Sequence, residues 1–312
     1  MRIENCRLCP RNCGAVREED SGSGYCRMGA KPVVARAALH FWEEPCISGK
    51  NGSGTIFFTG CSLNCVFCQN YQISTKREVG RAVSVQELAD IFDRLVSQGA
   101  HNINLVNPTH FAAAIAEALK LRKPPVPVVY NSGGYENPET LRMLEGLIDI
   151  YLPDMKYAGS TLAKTLSDAS DYPEKAKAAV LEMARQTGAA QFDGDGMMTR
   201  GTIVRHLILP GNTRNSLAVL DWLSQNLPKG TLVSLMAQYT PCGRAANFPE
   251  INRRITQREY EKVQDYLFAL DLDGFVQDKK SASRDFIPPF NLEGVPAENT
   301  LDKQSGLTYN VM

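Results

Sequence analysis

The chain is predicted to be an α/β protein organised around a parallel sheet. Short β-branched segments alternate with segments whose apolar residues recur at helical spacing, and nine cysteines fall into groups rather than pairs. Gly54-Thr-Ile-Phe-Phe-Thr-Gly60 is β-branched and aromatic and is bounded by glycines, so it reads as a buried strand leading into a cysteine-bearing loop. Ser84-Val-Gln-Glu87 has the form of a capping box, and Leu88, Ile91, Phe92 and Leu95 follow at helical spacing. A helix is therefore predicted over residues 84 to 98, with Gly99 as its stop. Further strands are predicted at 103–106, 126–130, 148–152, 203–209 and 232–236, with helices near 111–121, 138–146, 173–186, 216–227 and 257–270. Such alternation implies right-handed crossovers, and functional groups in folds of this kind gather at the C-terminal ends of the strands.

Composition narrows the function classes. The 312 residues carry 34 basic and 34 acidic side chains, so the formal charge is zero and neither a nucleic-acid coat nor a membrane-surface protein is expected. Hydrophobic residues at 43% and charged residues at 22% match a packed globular chain. No apolar run approaches the length of a membrane span, and Met1-Arg-Ile-Glu-Asn-Cys lacks the form of a secretory leader, so a cytoplasmic location is expected. In a reducing compartment, clustered cysteines bind metal more often than they pair.

Cys61-Ser-Leu-Asn-Cys65-Val-Phe-Cys68 places three thiols within eight residues after a strand. A cubane iron-sulfur cluster accepts three thiolates and keeps one iron open, whereas a closed zinc tetrahedron needs a fourth ligand. An open iron is a place for chemistry, because an outside molecule can coordinate it. The bland alternative is three small buried hydrophobes, but random clustering rarely yields this spacing.

This Cys61-x3-Cys65-x2-Cys68 spacing, with Phe67 before the last cysteine, resembles the signature of the radical S-adenosylmethionine (SAM) superfamily. The resemblance implies a partial (β/α)6 TIM-type barrel of the radical SAM kind. It also implies a [4Fe-4S] cluster whose open iron binds SAM, and reductive cleavage to a 5′-deoxyadenosyl radical that abstracts hydrogen from a substrate. By the same resemblance Phe67 lies near the adenine. Asn107-Pro-Thr-His110 stands where many members carry Gly-Gly-Glu, which leaves Asn107 as the candidate contact to the SAM amino group. Asn131-Ser132-Gly-Gly resembles the Asp-Thr-Asn-Gly segment of glycyl-radical activating enzymes, with the carboxylate replaced by Asn131. Asp154-Met-Lys156 resembles their Asp-Leu-Lys, where the lysine lies near the SAM carboxylate. Arg205 precedes Pro210-Gly211 as in that group and is a candidate for the ribose or carboxylate, while Thr240 stands where a histidine is usual. The set looks closest to the pyruvate formate-lyase activating enzyme-like members carrying an N-terminal cysteine cluster.

That cluster is Cys6-x2-Cys9-Pro-x2-Cys13-x12-Cys26, four thiols with little apolar sequence around them, so a bound metal would supply folding energy. Zinc is the preferred occupant and a second iron-sulfur cluster the alternative. The expected organisation is a cysteine-rich metal-binding extension over residues 1–50, a barrel over 51–277, and a tail or strap over 278–312 in which Phe286, Ile287 and Phe290 are candidate anchors. His110, Tyr135, Glu136, Gln238 and Tyr239 are candidates for the rim of the mouth. His40, His101 and His206 have no ligand-like spacing, and Cys46 and Cys242 read as buried thiols.

The expected partners are a low-potential electron donor of flavodoxin or ferredoxin type and an unidentified protein or small-molecule substrate. Glycyl-radical enzyme activation is one outcome, and radical modification of a peptide, small molecule or RNA is the alternative. A non-catalytic iron-sulfur electron-transfer protein is a further reading, which predicts no SAM binding.

Overall fold

A computed structural model describes residues 2–277 and 287–297. Its strands are β1 (Val33–His40), β2 (Ser53–Phe58), β3 (Arg81–Ala82), β4 (Ile103–Val106), β5 (Val128–Ser132), β6 (Ile150–Pro153), β7 (Gln191–Phe192), β8 (Met198–Leu207), β9 (Leu232–Met236) and β10 (Gly274–Val276). Its α-helices are α1 (Pro45–Ser48), α2 (Tyr71–Ser74), α3 (Val85–Ser97), α4 (Ala112–Leu121), α5 (Pro138–Met143), α6 (Ser160–Ser167), α7 (Tyr172–Thr187), α8 (Thr213–Asn226) and α9 (Gln257–Phe268).

The pairing order is β10-β9-β8-β6-β5-β4-β2-β1-β3. From β2 to β10 every neighbouring pair is parallel, while β1 runs antiparallel to β2 and β3 antiparallel to β1. Among the described residues the two ends of this order do not pair, and the architecture is an open, partial (β/α) barrel. The six strands read from the sequence appear as β2, β4, β5, β6, β8 and β9, and β10 adds a seventh parallel strand at one edge. Strand β1 lies within the first 50 residues yet pairs with β2 over Val34 to His40, so the sheet begins there.

Parallel strands covered on both faces are buried along their whole length, as β2, β4, β5 and β6 are, and their few polar residues, Asn104 and Asn131 among them, find hydrogen bonds inside the barrel. The outward residues Ile56, Phe58, Ile103, Leu105, Val128 and Tyr130 pack against Leu88, Ile91, Phe92, Ile115 and Leu119 of the helical layer. Helix α3 starts as its sequence requires: the Ser84 hydroxyl accepts from the Glu87 amide at 3.1 Å, and the Glu87 carboxylate accepts from the Ser84 amide at 2.7 Å.

Inside the barrel the residues fall into layers. Val129, Ile150, Leu152 and Ile203 form an apolar base with Cys46 and Ile47, which α1 inserts among them. The next inward positions, Asn104, Asn131 and Arg205, carry polar groups, and with Glu43 they make a hydrogen-bonded layer beneath the mouth. Residues 287–297 pass beside β1. Leu292 donates to the Ala35 carbonyl at 3.1 Å, Ala37 donates to the Glu293 carbonyl at 2.8 Å, and Phe290 packs edge-on against Phe57 with centroids 5.4 Å apart. Of the candidate anchors, Ile287 and Phe290 join this apolar patch, and Phe286 lies outside the described residues.

Candidate functional site

The cysteine loop begins where β2 ends. Gly60, at φ +87°, turns the chain, and its amide donates to the Ile73 carbonyl at 2.9 Å. A Cβ there would stand 2.7 Å from Met28 Cγ and 3.0 Å from His110 Nε2, so the close approach requires glycine. The loop is then stitched to α6 by the amides of Asn64 and Val66, which donate to the Ser167 and Leu166 carbonyls at 3.2 and 2.9 Å. Each thiol has a polar neighbour. The Leu63 amide lies 3.3 Å from Cys61 Sγ, the Ser167 hydroxyl 2.9 Å from Cys65 Sγ, and the Ser74 hydroxyl 3.2 Å from Cys68 Sγ. Burial pushes the Cys68 thiol up to about 11 and raises Cys61 as well, with the neighbouring Cys65 adding to both. A metal must therefore displace their protons on binding.

Opposite the loop, the ends of β5, β6 and β8 converge on a charged network. Asp154 binds Lys156 at 2.5 Å and the Arg205 Nε at 3.0 Å. Arg205 also donates to Glu43 at 3.2 Å and to the Asn131 Oδ1 at 2.6 Å, and the Asn131 amide donates to Glu43 at 3.1 Å. Burial alone would raise the Asp154 carboxyl, but Lys156 and Arg205 hold it below its ordinary value. Burial likewise works against the charge of Lys156, and the Asp154 carboxylate overcomes it. Glu43 differs: its burial outweighs the attraction of Arg205, and its carboxyl is raised. Gly134, at φ +76°, lets the turn after β5 lie against Asp154, where a Cβ would stand 2.0 Å from the Asp154 carbonyl oxygen. The Tyr172 hydroxyl accepts from the Lys156 amide at 2.9 Å and lies 2.9 Å from the Gly133 carbonyl, which ties the backbone after β6 to the turn after β5.

Loop and network face each other across one cavity of about 240 Å³. Cys61, Cys65, Phe67, Cys68, Asn107, Asn131, Ser132, Asp154, Lys156 and Arg205, the residues singled out from the sequence, all line it. So do Glu43, His40, Trp42 and Gln238, together with Ile287 and Pro288 of the strap. The donor set suits an iron-sulfur cluster with a polar ligand beside it: three thiols on one wall, and on the other a lysine and amides that can hold a carboxylate or amine.

Other candidates lie elsewhere. His110 does not line the cavity: the short 3-10 turn Thr109–Phe111 buries its ring with Nε2 2.8 Å from the Thr59 carbonyl, and burial lowers it to about 3. Glu136 is also buried away from the mouth, accepting from Thr109 at 2.6 Å and Tyr130 at 3.1 Å. Tyr135 bonds Asp171, and Tyr239 packs against Phe67 while donating to the Ile251 carbonyl.

In the N-terminal segment Cys6, Cys9 and Cys26 are buried and Cys13 is exposed. Among the described residues no three His, Cys, Asp or Glu side chains are grouped as a single-ion site. Arg17 is fully buried there; it donates to the Met28, Gly29 and His110 carbonyls and lies 3.7 Å from Cys6 Sγ. Arg11 ties the segment to the cysteine loop by donating to the Ser62 carbonyl at 2.8 Å. Among the described residues no helix is long and apolar enough to cross a membrane.

Comparison with known proteins adds family information. The model of the Radical SAM superfamily matches residues 55–223. An uncharacterized protein of Methanocaldococcus jannaschii is 30% identical over 280 residues, covering 87% of this chain and 76% of that one. A mutant of spore photoproduct lyase shares the fold at a TM-score of 0.50 and 10% identity, over 74% of this chain and 78% of that one. Streptococcus suis SuiB bound to S-adenosylmethionine gives a TM-score of 0.49 at 14% identity, over 70% of this chain and 48% of SuiB, so the chain spans about half of that protein's length.

Proposed function

Because the chain belongs to the radical SAM superfamily, whose members use a [4Fe-4S] cluster and SAM, we propose that Cys61, Cys65 and Cys68 would hold the cluster and that the facing network would hold SAM beside it. The observation that carries this reading is the opening of the three thiols and the Asp154, Lys156 and Arg205 network into one cavity. When bound, the cluster and SAM would supply the radical chemistry of hydrogen abstraction.

The chain's own residues bind and orient. Lys156, held by Asp154, keeps further N–H donors for a carboxylate in the cavity. Arg205 directs donors to Asp154, Glu43 and Asn131, so it acts chiefly by fixing those groups. Asn107 bonds the Gly60 carbonyl, which joins the end of β4 to the cysteine loop and places its amide at the cavity wall. Phe67 and Ser132 complete the wall that meets the nucleoside, and Phe67 is steadied by Tyr239 at 5.9 Å between ring centroids.

The substrate we favour is a peptide or small molecule, because Ile287 and Pro288 of the strap stand in the cavity wall and narrow the entry for a loop of a folded glycyl-radical enzyme. The N-terminal cysteines are read as a second metal centre, zinc or a second cluster, supported by the three buried thiols and the positive charge of Arg17 beside Cys6. Metal analysis of the isolated protein separates the two. Anaerobically reconstituted protein with SAM and reductant is expected to release 5′-deoxyadenosine, and Cys65→Ala to release none. Sustained release by that variant would overturn the assignment.

A further inference from the structure

A second cleft, of about 440 Å³, opens behind the cysteine loop between the N-terminal segment and α2. Its walls carry Arg27, Arg77 and Arg244 against a single acid, Asp168. That acid is already engaged, by Lys164 and by the Tyr25 hydroxyl at 3.1 Å. The described partners of the arginines are neutral: Arg77 donates to the Thr75 and Tyr25 carbonyls, and Arg244 to the carbonyl and side chain of Asn64. The Arg77 Nε is buried with no hydrogen-bond partner among the described residues. Arg27 and Arg77 both hold left-handed backbone, at φ 57° and 58°, on the same cleft. Burial lowers the Arg77 guanidinium from its ordinary value, and the like charge of Arg27 lowers it further. In a chain whose formal charge is zero, this is a local excess of positive charge.

The cleft also lies against the cysteine triplet. Leu63 and Ser74 line both this cleft and the main cavity. The Leu63 amide is 3.3 Å from Cys61 Sγ, and the Ser74 hydroxyl is 3.2 Å from Cys68 Sγ. An occupant of the cleft is thus about one residue from the thiols.

We propose that the arginine cleft is the docking surface for an acidic one-electron carrier protein of the flavodoxin or ferredoxin class, which reduces the centre held by Cys61, Cys65 and Cys68; this rests on the function proposed above. The step is a transfer of one electron: the reduced carrier is oxidised by one equivalent, the cluster is reduced by one, and no bond or proton changes place. Opposite charge speeds encounter and sets orientation, and the short path through Leu63 or Ser74 gives the electron its route. An RNA backbone would also meet the arginines, but the proximity to the thiols favours a redox partner.

The test separates docking from chemistry. Binding of an oxidised flavodoxin, and separately an oxidised ferredoxin, to the reconstituted enzyme is titrated at low and high salt, for wild type and for Arg27→Glu/Arg77→Gln. Dithionite-driven release of 5′-deoxyadenosine is measured on the same samples. The variant is expected to bind the carrier on the order of tenfold more weakly at low salt, with the gap closing at high salt and the dithionite rate unchanged. Equal affinity of variant and wild type for both carriers would overturn the proposal, as would a dithionite rate that falls in step with binding. So would a fluorescent oligouridine that loses its binding in the variant while the carrier keeps its own. If wild type releases no 5′-deoxyadenosine even with dithionite, the underlying function fails, and the docking role with it.

Discussion

Asp154 is the pivot of the buried network, and Asp154→Asn tests it most directly. The carboxylate lies 2.5 Å from the Lys156 ammonium and 3.0 Å from the Arg205 guanidinium. At an effective dielectric constant of about 20 these separations correspond to attractions of about 7 and about 6 kcal/mol. Most of that is offset by the cost of taking the ions out of water, and removing one partner of a buried pair costs about 3–5 kcal/mol. Arg205 keeps Glu43 after the change while Lys156 is stranded, so a loss of about 4 kcal/mol is expected. Urea unfolding of the apo protein reads this as a midpoint lowered by about 1 M or more, taking a slope of about 3 kcal/mol per M. Adding Lys156→Gln removes the stranded charge, and the double-mutant cycle should return a coupling of about 1.5 kcal/mol or more. The pH dependence follows with its sign. A carboxyl held below its ordinary value contributes stability that is complete above about pH 4 and is lost as the pH falls through the folded value, and Asp154→Asn should remove that acid limb. A midpoint unchanged in Asp154→Asn, or a coupling below about 0.5 kcal/mol, would show that the network does not hold Asp154 as described.

Two further outcomes follow from groups outside the cavity. Burial raises Glu136 to about 7 despite the hydrogen bonds from Thr109, Ser132 and Tyr130. A carboxyl raised in this way favours the folded state when protonated, so wild type should lose about 3 kcal/mol relative to Glu136→Gln between about pH 4.5 and pH 7, and parallel stability curves for the two would refute it. Phe290→Ala should loosen the strap, seen as faster amide exchange at Ala37, whose N–H bonds the Glu293 carbonyl, and as quicker limited proteolysis near residue 290. Unchanged exchange at Ala37 would show that Phe290 does not anchor it.

The elements legible in the sequence were those with strong local chemistry. The capping box of α3, the glycine-bounded β2 and the β-branched interior strands announce themselves, and the cysteine triplet follows from its spacing. Strand β1 hides because Val-Val-Ala-Arg-Ala-Ala-Leu-His is alanine-rich and draws its strand character from pairing with β2. Helix α6 is short, and Gly159 at its start offers no side-chain cap. Glu43 is the clearest omission from the site. It sits between β1 and α1, just past the end of a strand that the sequence does not announce, and only the long-range insertion of that segment into the barrel brings it to Arg205. His110 failed in the opposite sense: position after a strand suggested the mouth, but the 3-10 turn folds its ring back toward Thr59. Thr59 and Gly60 gave no local sign that they would receive it.

The pairing of Leu292 and Glu293 with β1 also bears on how the chain is made. Arg36 meets Glu293 across 257 positions of sequence, so during translation the N–H and C=O groups along that side of β1 wait for most of the polypeptide to be synthesised. At about 5–20 residues per second the delay is on the order of tens of seconds, during which a nascent strand border stands open to pairing with other chains.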